Sequence, residues 1–324
     1  MTTPAPFFAE VAEAPEGARP FWVRTDDGRR IRTVHWQGDG RGTAFVFSGR
    51  SEYVEKYGRV IRRLRERGLA VVAFDWRGQG LSTRPAHNPM LGHVEDFRDY
   101  QRDWHAVLAA AVAQDMPRPY FMFAHSMGGC IGLRTLLEGA EFCGAVMSAP
   151  MWHLQMRAAT RQVTASLAQF ANLVGFGARR FPGTNREPSA LALAFEGNVL
   201  TGCADHFTWF GRQLGAHPEL GLGGPSVQWT YAALEEMARL YIAPVPRLPV
   251  LAFLGTEEHV VSANVVRIQI GKMPRGELAL IEGARHEMWM ERPAVQQRVW
   301  AAVDDFLARA LTGQADQKRR ALNA

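Results

Sequence analysis

The sequence predicts an α/β protein with a mostly parallel central sheet, helices on both faces and a helical segment inserted in the second half. Three observations predict it. Short continuous apolar runs, "TAFVF" (43–47), "AVVAF" (70–74), "YFMFA" (120–124) and "GAVMSA" (144–149), alternate with segments of helical character. Strands that are apolar throughout, rather than at every second residue, belong to a sheet covered on both faces. The alternation stops near Pro150 and resumes with "PVLAFLG" (249–255) and "ELALIE" (277–282), each followed by a helical stretch.

The elements follow in order. Residues 1–19, rich in Pro, Ala and Glu, read as a loosely attached N-terminal arm. "FWVRT" and "RRIRTVHW" form a hairpin across the Asp-Asp-Gly turn at 26–28. Helices are expected over 54–67, 96–114, 127–138, 262–272 and 294–310. Residues 20–150 and 244–312 make the core, 151–243 a helical cap broken by Gly and Pro, and 313–324 a basic tail.

Composition excludes several classes of function. The 324 residues are 47% hydrophobic and 21% charged, an ordinary globular balance. The net charge of +5 is carried by scattered arginines, with lysine only at 56, 272 and 318, and no basic stripe interleaves with aromatics. Nucleic acid is therefore not an expected partner. The three cysteines, Cys130, Cys143 and Cys203, are odd in number and lack metal-ligand spacing, so no metal is expected and a reducing cytoplasm is the natural compartment. The first 20 residues lack the basic start and long apolar stretch of a signal peptide. No run approaches the roughly 18 apolar residues of a membrane span, which leaves peripheral contact with the inner face of a membrane as the alternative to free cytoplasm.

The chemistry centres on Ala124-His125-Ser126-Met127-Gly128, where an apolar strand meets a helix. A nucleophile elbow needs that strand-turn-helix context and small residues two before and two after the serine. Ala124 and Gly128 supply them, so Ser126 is the candidate nucleophile and the backbone N–H of Met127 an oxyanion donor at a helix N-terminus. His125 is a candidate substrate contact, with a structural role as the alternative. On such folds the order is Ser, acid, His, on loops after late strands. His286 lies four residues beyond "ELALIE" and is the candidate base. The strand "PVLAFLG" runs into "TEEHVVS", which makes Glu258 the candidate acid and Glu257 its competitor, with His259 a bystander. After "TAFVF", Ser48-Gly49-Arg50 brings the Arg50 N–H close to the same oxygen, while its side chain is available to an acidic headgroup. Glu52, four residues before Lys56, is either a second substrate contact or half of a structural ion pair.

"FSGRSEYVEKYGRVIRRL", "FDWRGQGLSTR", "GHVEDFRDY", "AHSMGG", "GTEEHVV" and "GARHEMWMER" resemble, in order and spacing, bacterial lysophospholipases related to monoacylglycerol lipases. The resemblance runs from about residue 20 to 310 and includes "GGPSVQW" in the insertion. It implies an α/β-hydrolase fold with a helical cap inserted after the nucleophile half. It also implies hydrolysis of one acyl ester of a lysophospholipid or monoglyceride, without cofactor. By position it carries the nucleophile to Ser126, the acid to Glu258, the base to His286 and the oxyanion donors to Arg50 and Met127. The chain departs in having Ser48-Gly49 where monoacylglycerol lipases have His-Gly, and Glu258 where they have Asp. The first departure weakens the monoglyceride reading and leaves the lysophospholipase reading intact.

Within the cap, Val163, Leu167, Phe170 and Val174 recur at helical spacing. This stripe packs inside the cap, lines an acyl channel or rests on a membrane. Trp152, Phe207, Trp209, Phe210, Trp229 and Tyr231 add aromatic surface, and Trp152, Phe170 and Trp209 are candidate substrate contacts. Asp75 and Arg77 are expected to brace their loop. The reading is a serine esterase acting on lysophospholipids. Its rivals are a monoacylglycerol lipase or general carboxylesterase, and a catalytically silent lipid-binding protein. Oligomeric state is not legible in the sequence.

Overall fold

A computed structural model describes residues 3–85, 87–188 and 194–322, with side chains as far as 312. Among the described residues nine strands form one sheet: β1 (Thr3–Pro4), β2 (Arg19–Arg24), β3 (Arg30–Trp36), β4 (Thr43–Phe47), β5 (Ala70–Phe74), β6 (Tyr120–His125), β7 (Gly144–Ser148), β8 (Val250–Gly255) and β9 (Gly276–Ile281). Their spatial order is β1-β2-β3-β5-β4-β6-β7-β8-β9. From β5 to β9 all pairings are parallel, and β1, β2 and β3 add an antiparallel edge. Every residue of β4 to β8 is buried, as their continuous apolar sequences require.

Helices cover both faces. They are α1 (Ala9–Ala12), α2 (Gly58–Glu66), α3 (Asp99–Ala113), α4 (Met127–Leu137), α5 (Ala158–Leu173), α6 (Ala204–Ala216), α7 (Val227–Ile242), α8 (Ala263–Lys272) and α9 (Pro293–Leu322). The expected strands and core helices lie within a few residues of their predicted bounds. Between β7 and β8 the described residues contribute three helices and no strand of the sheet. Among the described residues no helix is long and apolar enough to cross a membrane.

Two expectations need correction. The arm is not loose. Thr3–Pro4 adds a short strand to β2, the Phe8 N–H donates to Glu55, and the Val11 carbonyl accepts from Trp209 and Gln213. Ala12 is fully buried, and its carbonyl sits where a side chain at Gly58 would project. A Pro- and Ala-rich segment can be well anchored when partners satisfy its backbone. The basic tail, too, is not a separate element, because α9 continues through Leu322.

The sheet order decides where a site can form. The chain runs from β4 outward to β5, then returns to place β6 on the other side of β4. Such a switch point opens a crevice beyond the carboxyl ends of the strands. Phe47 of β4 pairs with Ala124 of β6, so the Arg50 and Ser126 loops leave the sheet side by side. Gly255 of β8 pairs with Ile281 of β9, which likewise juxtaposes the Glu258 and His286 loops.

Candidate active site

Ser126 caps α4 with φ 49° and ψ −115°, a region that non-glycine residues avoid. The turn is pinned by the Ser126 N–H on the Ser148 carbonyl (3.1 Å) and by the Met151 N–H on the Ser126 carbonyl (2.8 Å). Gly128 is required by close approach, because a Cβ there would lie 2.0 Å from the Phe47 carbonyl oxygen. This contact is where α4 meets β4, and it explains the small residue two positions after the serine.

Ser126 Oγ lies 3.0 Å from His286 Nε2, and His286 Nδ1 lies 2.9 Å from Glu258 Oε2. The other Glu258 oxygen accepts the N–H groups of Val260 (2.6 Å) and Val261 (3.0 Å). Burial would raise the Glu258 carboxyl, but its bond to His286 and these two N–H groups hold it below the usual range. A carboxylate at Nδ1 fixes the tautomer that leaves Nε2 free to accept the serine proton. Glu257, the competing acid, points to Arg285 at 3.5 Å and is half exposed. The structure thus brings Ser126, His286 and Glu258 together and leaves Glu257 and the exposed His259 outside.

Met127 is the first residue of α4, so its N–H has no intrahelical partner. On the Arg50 loop the neighbouring N–H groups of Gly49 and Ser51 donate to Glu52 and Gln79. Glu52 is the organiser of this loop. Its carboxylate also accepts from Tyr57 (2.5 Å) and Lys56 (2.7 Å), and Lys56 reaches Glu287 at 2.7 Å. Asp75 and Arg77 brace as expected, on Arg32 and on Asp27 and Asp103.

His125 packs its ring 4.8 Å from that of His286, with Nδ1 3.1 Å from the Ser148 carbonyl. Burial drives its pKa down to about 3, so it stands neutral as a wall behind the His286 ring. Ligand-type atoms of Glu52, His125 and Glu287 lie within 4.8 Å of one another. The Lys56 ammonium already bridges the two carboxylates, which leaves this cluster a poor fit for a metal ion. Sequence reasoning missed Glu287; its adjacency to His286 was the only signal.

A cavity of about 380 Å³ opens at Ser126 and His286, a size suited to a small ligand or part of an acyl chain. Its walls are mainly apolar and come from both halves of the chain, including Met151, Leu154, Leu200, Phe210, Leu214 and Trp229. Arg50 and Glu52 also reach it. Four candidate contacts, His125 among them, do not line it. Trp152 is buried with its indole N–H on the Gly129 carbonyl, and Trp209 with its own on Val11 under the Arg59 guanidinium. Phe170 is 64% exposed on α5, as are Val163 and Leu167 to similar extents. The α5 stripe therefore faces outward instead of packing within the insertion or lining the cavity. Helical periodicity reveals an apolar face but not what lies against it.

The family model described as serine aminopeptidase, S33 (Hydrolase_4) matches residues 38–293, and the chain belongs to this family of α/β-hydrolase enzymes. The chain is similar to lysophospholipase L2 of Escherichia coli strain K12, 30% identical over 306 residues that cover 89% of each chain. It is also similar to monoglyceride lipase of Homo sapiens, 25% identical over 291 residues, 87% of this chain and 88% of that one. A soluble variant of monoglyceride lipase from Saccharomyces cerevisiae, solved with a substrate analog, shares the fold with a TM-score of 0.71 at 22% identity, over 95% and 99% of the two chains. The chain is accordingly an enzyme of the carboxylic ester hydrolase class.

Proposed function

We propose that the protein releases the fatty acid from lysophospholipids through an acyl-enzyme. The observation that carries this reading is the hydrogen-bonded series Glu258, His286, Ser126 opening into an apolar cavity. His286 takes the Ser126 proton as Oγ attacks the ester carbonyl, and Glu258 stabilises the imidazolium. The N–H groups of Arg50 and Met127 hold the oxyanion, a contribution of about 3–4 kcal/mol per donor in comparable sites. The glycerophosphoryl alcohol leaves with the proton from His286. Water, activated by the same base, then frees the acid.

The insertion at 151–243 acts as the cap that supplies the acyl-binding wall, since Phe210, Leu214 and Trp229 come from it. The outward stripe on α5 supports peripheral docking on a lipid surface. A peptidase acting on a free amino terminus would need an unpaired carboxylate beside the serine. Lys56 bridges one oxygen of Glu52 and one of Glu287, so each carboxylate beside the serine already faces a cation, which favours an ester substrate. The similarity to lysophospholipase L2 over most of both chains points the same way.

The test is fatty-acid release from lysophosphatidylcholine, lysophosphatidylethanolamine, monoolein and a short nitrophenyl ester, with Ser126→Ala as control. Lysophospholipids turned over fastest, with the variant dead, is the expected result. Preference for monoolein would make the protein a monoacylglycerol lipase, and cleavage of the short ester alone a general carboxylesterase. An inert wild type would leave a silent lipid-binding protein.

A further inference from the structure

We infer that Arg50 and Arg180 form an anion-binding site beside the serine pocket, built for a phosphodiester oxyanion such as a lysophospholipid headgroup carries. The inference rests on the ester-hydrolase reading above and narrows its substrate class.

Three buried cations of this fold are matched to acids. Arg32 pairs with Glu55 and Asp75, Lys56 with Glu52 and Glu287, and Arg77 with Asp27 and Asp103. Arg50, which lines the cavity together with Ser126, pairs with no carboxylate among the described residues. Of its five N–H donors, one reaches Ser51 Oγ (3.0 Å) and one the Gly223 carbonyl (2.6 Å). Its Nε is buried with no acceptor. Arg84 shows how this fold treats a half-buried guanidinium that serves structure alone, since it too lacks an acid. Its N–H groups are taken up by the carbonyls of Gly80, Pro89, Glu219, Leu220 and Gly221. Arg50 has no such set.

A second guanidinium lies at the same pair of glycines, just outside the cavity lining. Arg180 Nη1 donates to the Asn185 carbonyl (2.8 Å) and approaches that of Gly224 (3.4 Å), again with no carboxylate partner among the described residues. The two arginines thus flank Gly223-Gly224. Like charges held together repel, and an anion between them removes that cost. Burial, with no acid beside it, pulls Arg50 down to about 10, which still leaves it charged at neutral pH.

The surrounding residues are shaped to admit both side chains. A Cβ at Gly92 would lie 2.7 Å from Arg50 Nη2, and one at Gly223 would lie 2.8 Å from Arg180 Nη1. Trp229 lies under the Arg50 guanidinium at 5.1 Å and fixes its plane on the cavity wall. "GGPSVQW", the insertion's segment 223–229, is therefore the frame of this site, with its first glycine giving room and its tryptophan giving the stacking face. A planar guanidinium with unused N–H groups matches the oxygens of a phosphodiester.

The test compares kcat/KM on 1-oleoyl lysophosphatidylcholine and monoolein, both in the same neutral micelles, for wild type, Arg50→Gln and Arg180→Gln. The lysophospholipid-to-monoolein ratio should fall roughly ten- to a hundredfold in each variant, the worth of one or two charge-assisted hydrogen bonds. Equal losses on both lipids would make the arginines structural and overturn the inference. A second measurement needs no variant: inhibition of wild-type monoolein hydrolysis by glycerophosphocholine and by inorganic phosphate, both at millimolar concentration. Inhibition by glycerophosphocholine alone identifies a headgroup subsite, and inhibition by both identifies a site open to free phosphate. Inhibition by neither overturns the site. A wild type inert on both lipids removes the ester-hydrolase reading itself, whereas activity on both with an unchanged ratio removes only the anion site.

Discussion

Glu258 turns one carboxylate oxygen to His286 Nδ1 at 2.9 Å and keeps the other on the backbone N–H groups that follow it. A carboxylate held at both oxygens cannot swing away from the imidazole, which suits a glutamate to the proposed role of acid despite its extra methylene. Glu258→Gln should leave the fold intact and lower kcat by about 10³–10⁴, as expected when the imidazole loses its fixed tautomer. Glu257→Gln should change kcat less than threefold. Steady-state kinetics on a nitrophenyl ester separate the two, and the reverse pattern would move the acid to Glu257.

The elbow makes a second prediction. A methyl at Gly128 meets the Phe47 carbonyl oxygen at 2.0 Å, and neither backbone can retreat without separating α4 from β4. Gly128→Ala should cost about 1–3 kcal/mol or more as overpacking and abolish turnover by tilting Ser126. Ala124→Gly, which restores the more familiar glycine before the serine, should cost about 0.5–1 kcal/mol and keep most activity. Thermal unfolding and a fluorophosphonate label read both effects. A fully active Gly128→Ala would show that the contact is not what sets the serine's geometry.

Much of this was legible because parallel strands advertise themselves. Buried on both faces, β4 to β8 are apolar almost throughout, and the ends of β4, β6 and β8 mark where the Arg50, Ser126 and Glu258 loops begin. The remainder depends on what faces what. Lys56 and Glu287 are 231 residues apart, and nothing local in either segment announces their pairing. Trp209 and Phe210 are neighbours on α6, yet one packs on the arm and the other lines the cavity. Composition could not assign them. The same limit applied to residues 1–19, whose anchoring lies in backbone hydrogen bonds with distant partners.

The Lys56 cluster yields a prediction about pH. Burial would raise the Glu52 carboxyl, but Lys56 holds it below its ordinary value, so its contribution to stability is present above that value and is lost as pH falls. Glu287 is raised by burial in spite of Lys56, so it acts in the opposite sense and loses stability as pH rises. Lys56→Met leaves two buried carboxyls without their cation, and both then belong to the raised class. The variant should be destabilised by about 3–5 kcal/mol at neutral pH. Its Tm should also rise as pH falls from 7 to 5, against a flat or falling wild-type Tm over the same range. Parallel Tm curves for the two proteins would refute the assignment of Lys56 as the compensating charge.

The outward face of α5 carries the last prediction. Leu167 is 64% and Leu173 81% exposed, on the same helix as the exposed Val163 and Phe170. Scattered apolar residues on a surface need no explanation, but a helical stripe of them does. Burying one such side chain in a bilayer interface is worth about 1.5–3 kcal/mol, so two glutamates in their place should weaken vesicle binding at least tenfold. Leu167→Glu with Leu173→Glu should therefore lose co-sedimentation with vesicles and slow turnover of bilayer-embedded lysophospholipid. Hydrolysis of a soluble nitrophenyl ester should change little, because neither residue lines the cavity. If vesicle binding survives the double substitution, the stripe is not the docking face. If the soluble ester suffers equally, α5 supports the fold of the pocket instead.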